Sequence, residues 1–320
     1  METLHCYLCY HEDTEENPFA SDPLPCNCKG GIVIHKACLV DVIDRSGDIC
    51  SICQTKYRAK SYLSVDEEGC ILRISVHNNN RVKYHENEHG QKHGSYIEYY
   101  EKTALVKEKC YYVNDVIHGP YEKLFRNGSI EKKSHYVNGV FDGLCETWHE
   151  NGKLQSRRNY NHGKLDGLYQ EWYENSQLKV RRKYEKDILE GLSESWYEGG
   201  QYKSRAYYVY GKLEGLYEEW YENGKLKYLY NFVHVEVDGL YEEWYEGGQL
   251  RAHCNYEDGK LHGIHETFYE NGQIHSRGIY VHGKLDGIYQ IWNEKGKLEN
   301  SYTYNNNNLY DDSYNNSHNE

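Results

Sequence analysis

Residues 215–227 read GLYEEWYENGKLK, and the same sentence returns along the chain with a fixed step. The aromatic of each unit falls at Trp148, Trp172, Trp196, Trp220, Trp244, Phe268 and Trp292, always 24 residues from the last. The glycine that opens each unit keeps that step from Gly119 through Gly143, Gly167, Gly191, Gly215, Gly239 and Gly263 to Gly287. An earlier unit opens at Gly94, one residue out of phase, and residues 82–92 read as the second half of a decayed unit before it. A self-similar period of this length is the mark of a stacked repeat architecture, so nine repeats are expected over residues 93–309.

Each unit reads as two short strands. In the unit that begins at Glu214, Gly215 to Glu222 is one strand, Asn223-Gly224 the turn, and Leu226 to Phe232 the other. Asn-Gly suggests a type I′ hairpin turn, which needs two residues at positive φ. The same place holds Asn127-Gly128, Asn151-Gly152, Gly199-Gly200, Gly247-Gly248 and Asn271-Gly272, with Asn175-Ser176 weaker and Lys102-Thr103 without the signal. Period-2 alternation places Leu216 and Trp220 on one face, with Tyr217 and Tyr221 on the other. In an earlier second strand, Leu178, Val180, Arg182 and Tyr184 share a face. Glu218 and Glu219 on first strands, against Lys179, Arg181 and Lys183 on second strands, suit cross-strand ion pairs worth about 0.2–1 kcal/mol each. Stacked hairpins are then expected to bury a continuous stripe of Trp, Tyr and Leu.

GLYEEWYENGKLK and YVHGKLDG (residues 280–287) resemble the MORN-repeat family, in its variant with YENGKLK elements. The resemblance covers about two thirds of the chain and implies an all-β repeat domain of antiparallel hairpins in an elongated sheet. The phosphoinositide binding ascribed to some of that group transfers poorly to a chain of net charge −13. That charge also argues against phosphate-backbone binding, so no nucleic acid is expected as a partner, nor a membrane surface.

The other informative region is the N-terminus. Seven of the eleven cysteines lie before residue 54, which reads as metal ligation in a reducing compartment, cytoplasmic or nuclear. The candidate ligands are Cys6, Cys9, Cys26, Cys28, His35, Cys38, Cys50 and Cys53. Four pairs of thiolate or imidazole ligands make two closed tetrahedral sites, so two structural Zn²⁺ ions are expected and no hydrolytic one. A domain of some sixty residues (1–60) draws folding energy from such metals because its core is small. His5 and His11 are alternative ligands, though exposed neighbours are the plainer reading.

The order of four cysteines, one histidine and three cysteines is shared by RING-CH and PHD fingers. The close Cys26-x-Cys28 pair and VIHKACLVDVI (residues 33–43) resemble RING-CH, and PHD fingers usually have an aromatic where Asp48 stands. The resemblance implies a small α+β two-zinc domain in which Cys6, Cys9, His35 and Cys38 hold one ion. Cys26, Cys28, Cys50 and Cys53 would hold the other. It also implies an E3 ubiquitin ligase that recruits an E2 ubiquitin-conjugating enzyme through Leu8, Val42 and Ile52, while the repeats bind a protein substrate. Those three positions are equally what the core of so small a domain would use. RING-CH domains usually carry Trp at the position of Val42 and a basic residue at that of Gln54. The rival is a non-enzymatic interaction scaffold with a structural finger.

Residues 61–92 are expected as a linker or degenerate first repeat, and residues 310–320 as a disordered tail. The Asn- and Tyr-rich composition is similar to that of proteins from giant DNA viruses of amoebae. No stretch is long and apolar enough for a membrane-spanning helix, and no secretory signal is read at the start. His118 and His262, each before a unit glycine, are read as turn residues. No catalytic constellation or phosphate loop is found.

Overall fold

A computed structural model describes residues 70–77 and 80–310 of the chain. Every regular element among them is a β-strand, and every pairing is antiparallel between strands adjacent in the meander. Two units are distinguished, residues 1–143 and 144–320. In the first, Ile71–His77 pairs with Asn80–Glu86, which pairs in turn with Lys92–Tyr99. Ile71–His77 and Asn80–Glu86 are therefore paired strands of the sheet.

Two kinds of turn alternate, and they exchange the roles read from the sequence. At Tyr221–Lys225 the Gly224 N–H donates to Tyr221 O at 2.9 Å and the Tyr221 N–H to Lys225 O at 2.8 Å. Only Gly224 has positive φ there, +82°. This is a type I turn closed by a left-handed glycine, a three-residue hairpin loop and not type I′. The type I′ turns lie at the opposite ends of the strands, where both central residues have positive φ: His162-Gly163, Lys186-Asp187, Tyr210-Gly211, His234-Val235, Asp258-Gly259 and His282-Gly283 among them. The loop after Tyr100 is longer by one residue, its N–H donating to Leu105 O. That extra residue accounts for the phase slip between Gly94 and Gly119.

The unit glycines sit in bulges. Between Ala206↔Tyr217 and Tyr208↔Leu213 one residue on the first strand faces three on the second, with Gly215 at φ +80°. A left-handed residue in a bulge is where glycine carries the least steric cost.

The core of the first unit gathers Val82, Tyr96 and Cys110, flanked by Tyr84, Tyr112, Ile117 and Tyr121. In the second unit the covered face is built from tyrosines and small residues. Tyr217 stacks on Tyr230 at 4.8 Å, Tyr230 on Tyr241 at 5.6 Å, and Tyr241 meets Tyr256 edge-on at 5.9 Å. Cys145, Ser156, Ala206, Ala252, Cys254 and Ser276 are buried between them. Small side chains at these places leave room for the rings of neighbouring strands. Leu178, Val180, Arg182 and Tyr184 are half-buried with exposed residues between them, as period 2 requires. The leucine of the expected stripe behaves differently: Leu216 is exposed, while Tyr217 packs.

Candidate protein-binding face

The exposed leucine is not an isolated case. Leu144, Leu168, Leu192, Leu216, Leu240, Ile264 and Ile288 each follow a unit glycine, and each is 38–53% exposed. Pairing places them on one face of the second unit. Leu216 shares its strand face with Glu218, Glu218 pairs with Arg205, Arg205 with Glu194, and Glu194 lies two residues from Leu192. The same steps run on to Ile288 through Leu229, Glu242, His253, Glu266 and Arg277. Two exposed partners widen the apolar row, Tyr207 opposite Leu192 and Ile279 opposite Ile264.

Beside that row runs a ladder of alternating charge. Arg157 Nη2 reaches Glu146 at 2.8 Å, Arg181 Nε reaches Glu194 at 2.8 Å, and Arg277 Nη2 reaches Glu266 at 2.6 Å. Glu194 is almost wholly buried between Arg181 and Arg205 and also accepts from the Tyr202 hydroxyl at 3.4 Å. The Glu and Lys/Arg pattern of the sequence is thus realised as cross-strand pairs, including Lys227 to Glu219 at 2.9 Å on the other face. Satisfied pairs of this kind hold register and leave the face without a net sign.

A face with a long apolar row and a flanking charge ladder has the composition of a protein-binding surface. It does not have that of a reaction centre. Among the described residues the four cysteines are buried, and burial pushes the thiols of Cys110 and Cys254 up to about 12, far from a reactive thiolate. The His265 imidazole is pushed down by burial, beside the Tyr280 ring. Tyr217 and Tyr241 are pushed up, first by burial and then by Glu219 and Glu243 respectively. No helix among the described residues is long and apolar enough to cross a membrane.

The sequence-derived sites fall elsewhere. All eight zinc-ligand candidates and the three contact positions Leu8, Val42 and Ile52 lie outside the described residues, as do residues 311–320. The apolar row was not read from the sequence. Its signal was present, since Leu or Ile follows the unit glycine at seven successive steps, but alternation alone does not say which face is covered.

Sheet, turns and face together define a hairpin-repeat protein whose unit is two strands closed by two different turns. The chain belongs to the MORN repeat family. The MORN repeat variant matches residues 117–138, 141–162, 165–186, 189–210, 213–234, 237–258, 261–282 and 285–306. These repeats give the chain a binding role toward other proteins. A comparison with curated proteins gives no match.

Proposed function

We propose that the chain is a RING-CH-type E3 ubiquitin ligase in which the N-terminal finger recruits a ubiquitin-charged E2 enzyme and the repeat sheet holds the substrate. The observation that carries the second half is the row from Leu144 to Ile288 beside its charge ladder. The first half rests on the eight-ligand spacing, with Cys6, Cys9, His35 and Cys38 for one Zn²⁺ and Cys26, Cys28, Cys50 and Cys53 for the other. RING-type catalysis needs no covalent residue, so this reading asks the repeats only to bind. The finger would position the E2, and the sheet would supply proximity between the charged ubiquitin and a substrate lysine. The substrate on this reading is a protein segment that lays apolar side chains along the row. A reducing, cytoplasmic setting suits the cysteines clustered before residue 54 as metal ligands.

The test is ubiquitin discharge from a broad panel of E2 enzymes by the full chain, with Cys6→Ser as the metal-site control. Stimulation by wild type and its loss in Cys6→Ser is the expected result. A zinc-loaded protein that stimulates none of the panel overturns the reading. In that case a non-enzymatic scaffold replaces it, which Val42 at a position usually held by Trp already favours. Val42→Arg separates the two, since it abolishes E2 contact in a ligase and leaves a scaffold's partners in place.

A further inference from the structure

The type I′ turn of each repeat leans on the bulge of the repeat before it, and that seam has a regular chemistry. At four seams the side chain of the residue before the unit glycine accepts from the first turn residue of the next unit, Asp238 from Asp258 among them. Glu190 Oε2 takes the Tyr210 N–H at 2.8 Å, Glu214 Oε2 takes that of His234 at 3.1 Å, and His118 Nδ1 takes that of Asn138 at 3.3 Å. His118 thus sits in the bulge and its side chain holds the Asn138 turn of the next unit.

His262 breaks the pattern. The backbone part of the seam is intact, with Gly283 N–H donating to Leu261 O at 2.8 Å. The His262 Nδ1, shielded from solvent, faces the Glu257 Oε2 at 3.1 Å instead of the next turn's N–H. The His282 ring stands 5.2 Å from the His262 ring, centroid to centroid. One ligand atom from each of Glu257, His262 and His282 falls within 4.8 Å of the other two. A carboxylate and two imidazoles whose donor atoms converge in this way form a set suited to a shared cation.

The repeats themselves serve as controls. Position by position, the three places read Val113, His118 and Asn138; Val137, Asp142 and His162; and Asn161, Asp166 and Lys186. Further along they read Glu185, Glu190 and Tyr210, then Val209, Glu214 and His234, then Val233, Asp238 and Asp258, and lastly Val281, Asp286 and Asn306. At one seam alone do these three places hold two imidazoles and a carboxylate.

We propose that Glu257, His262 and His282 form a site for a first-row divalent cation of the zinc class, clipping two successive repeats together. Imidazole and carboxylate donors suit Zn²⁺, Ni²⁺ and Cu²⁺, and availability favours zinc. A tetrahedral ion with bonds of about 2.0–2.1 Å needs donors about 3.4 Å apart, within reach of small side-chain rotations from the present spacing. His282 and Glu257 are exposed, so water would complete the coordination as a solvent ligand. The site is independent of the N-terminal cysteines and of the ligase reading.

The experiment titrates Zn²⁺ calorimetrically into untagged, zinc-loaded full-length protein, whose cysteine sites are already filled. His282→Asn and Glu257→Val are measured beside wild type. Asn and Val are the residues that other repeats carry at these places, so the fold is kept, and a thermal melt verifies it. One further equivalent in wild type, weakened at least about tenfold in both variants, is the expected result. Zinc should also shield His262 and His282 from diethyl pyrocarbonate, read by peptide mass. The absence of further uptake, or equal uptake by all three proteins, overturns the proposal.

Discussion

The phenolic hydroxyl of Tyr221 donates to the backbone carbonyl of Trp244 at 2.8 Å, a bond that joins each repeat to the next. Tyr173 to Trp196, Tyr197 to Trp220, Tyr245 to Phe268 and Tyr269 to Trp292 repeat it at 2.8–2.9 Å. His149 reaches Trp172 O in the same way, at 3.1 Å. Asn223 adds a second tie, its amide donating to Glu246 O at 2.9 Å while its Oδ1 accepts from the Lys225 N–H. The tyrosine of the YENG element thus works between repeats, not within one.

Tyr221→Phe removes that bond and keeps the ring. The expected loss is about 0.5–1.5 kcal/mol, with the m-value unchanged. Urea unfolding of the full chain followed by tyrosine and tryptophan fluorescence measures it. An unaltered midpoint would place the inter-repeat coupling elsewhere.

Val235 holds φ +74° in the His234-Val235 turn, and Ser176 holds φ +77° where other repeats have glycine. A β-branched residue in the left-handed region is strained by roughly 1–3 kcal/mol. Val235→Gly is expected to raise stability by about 1 kcal/mol, the gain being reduced by the greater freedom of glycine in the unfolded chain. Ser176→Gly should act in the same direction but less strongly. Thermal melts at equal concentration compare the two with wild type.

Stability should fall at alkaline pH. Burial moves the Cys254 thiol from 9.0 to about 12, and burial followed by Glu108 does the same for Cys110. The neutral thiol is favoured in the fold, whereas the unfolded thiol ionises near its ordinary value. Their contribution is therefore complete below pH 9 and is lost as pH rises toward 12. Tyr169, moved from 10.0 to about 12 mainly by burial, adds to the same trend. Urea midpoints should be level up to pH 9 and decline above it, and Cys254→Ala should flatten the decline.

The apolar row separates binding from folding. Leu216→Glu and Leu240→Glu lie on an exposed face and should change stability by no more than about 0.5 kcal/mol. Each should weaken partner capture at least about tenfold, as loss of a contact residue at the centre of an interface does. Binding is measured against a partner cross-linked to the wild-type chain and identified by mass spectrometry. Normal capture by the double variant would move the binding surface to the tyrosine face.

Glu194→Gln probes the ladder. Arg181 and Arg205 flank the buried carboxylate, and both are nearly half exposed, so water screens much of what is lost. A destabilisation of about 1–2 kcal/mol is expected, well below the loss for a fully buried pair.

Local rules were enough to read much of this protein. The 24-residue step, the two strands per unit and the shared face of Leu178, Val180, Arg182 and Tyr184 follow from periodicity, because a strand alternates its side chains whatever surrounds it. Turn type was not legible in this way. Asn-Gly suits several turns, and the choice depends on how many residues the strands leave unpaired, which pairing and bulges decide together.

The tertiary structure alone decided which face is covered and which residues meet across repeats. Alternation puts Leu216 and Tyr217 on opposite faces, and the stacking of Tyr217 on Tyr230 of the neighbouring strand makes the tyrosine face the covered one, so Leu216 stands exposed. Glu257, His262 and His282 are spread over 26 residues of sequence and share no local pattern. Only the stacking of one turn on the preceding bulge brings them together, since residues one repeat apart become neighbours when hairpins pair edge to edge.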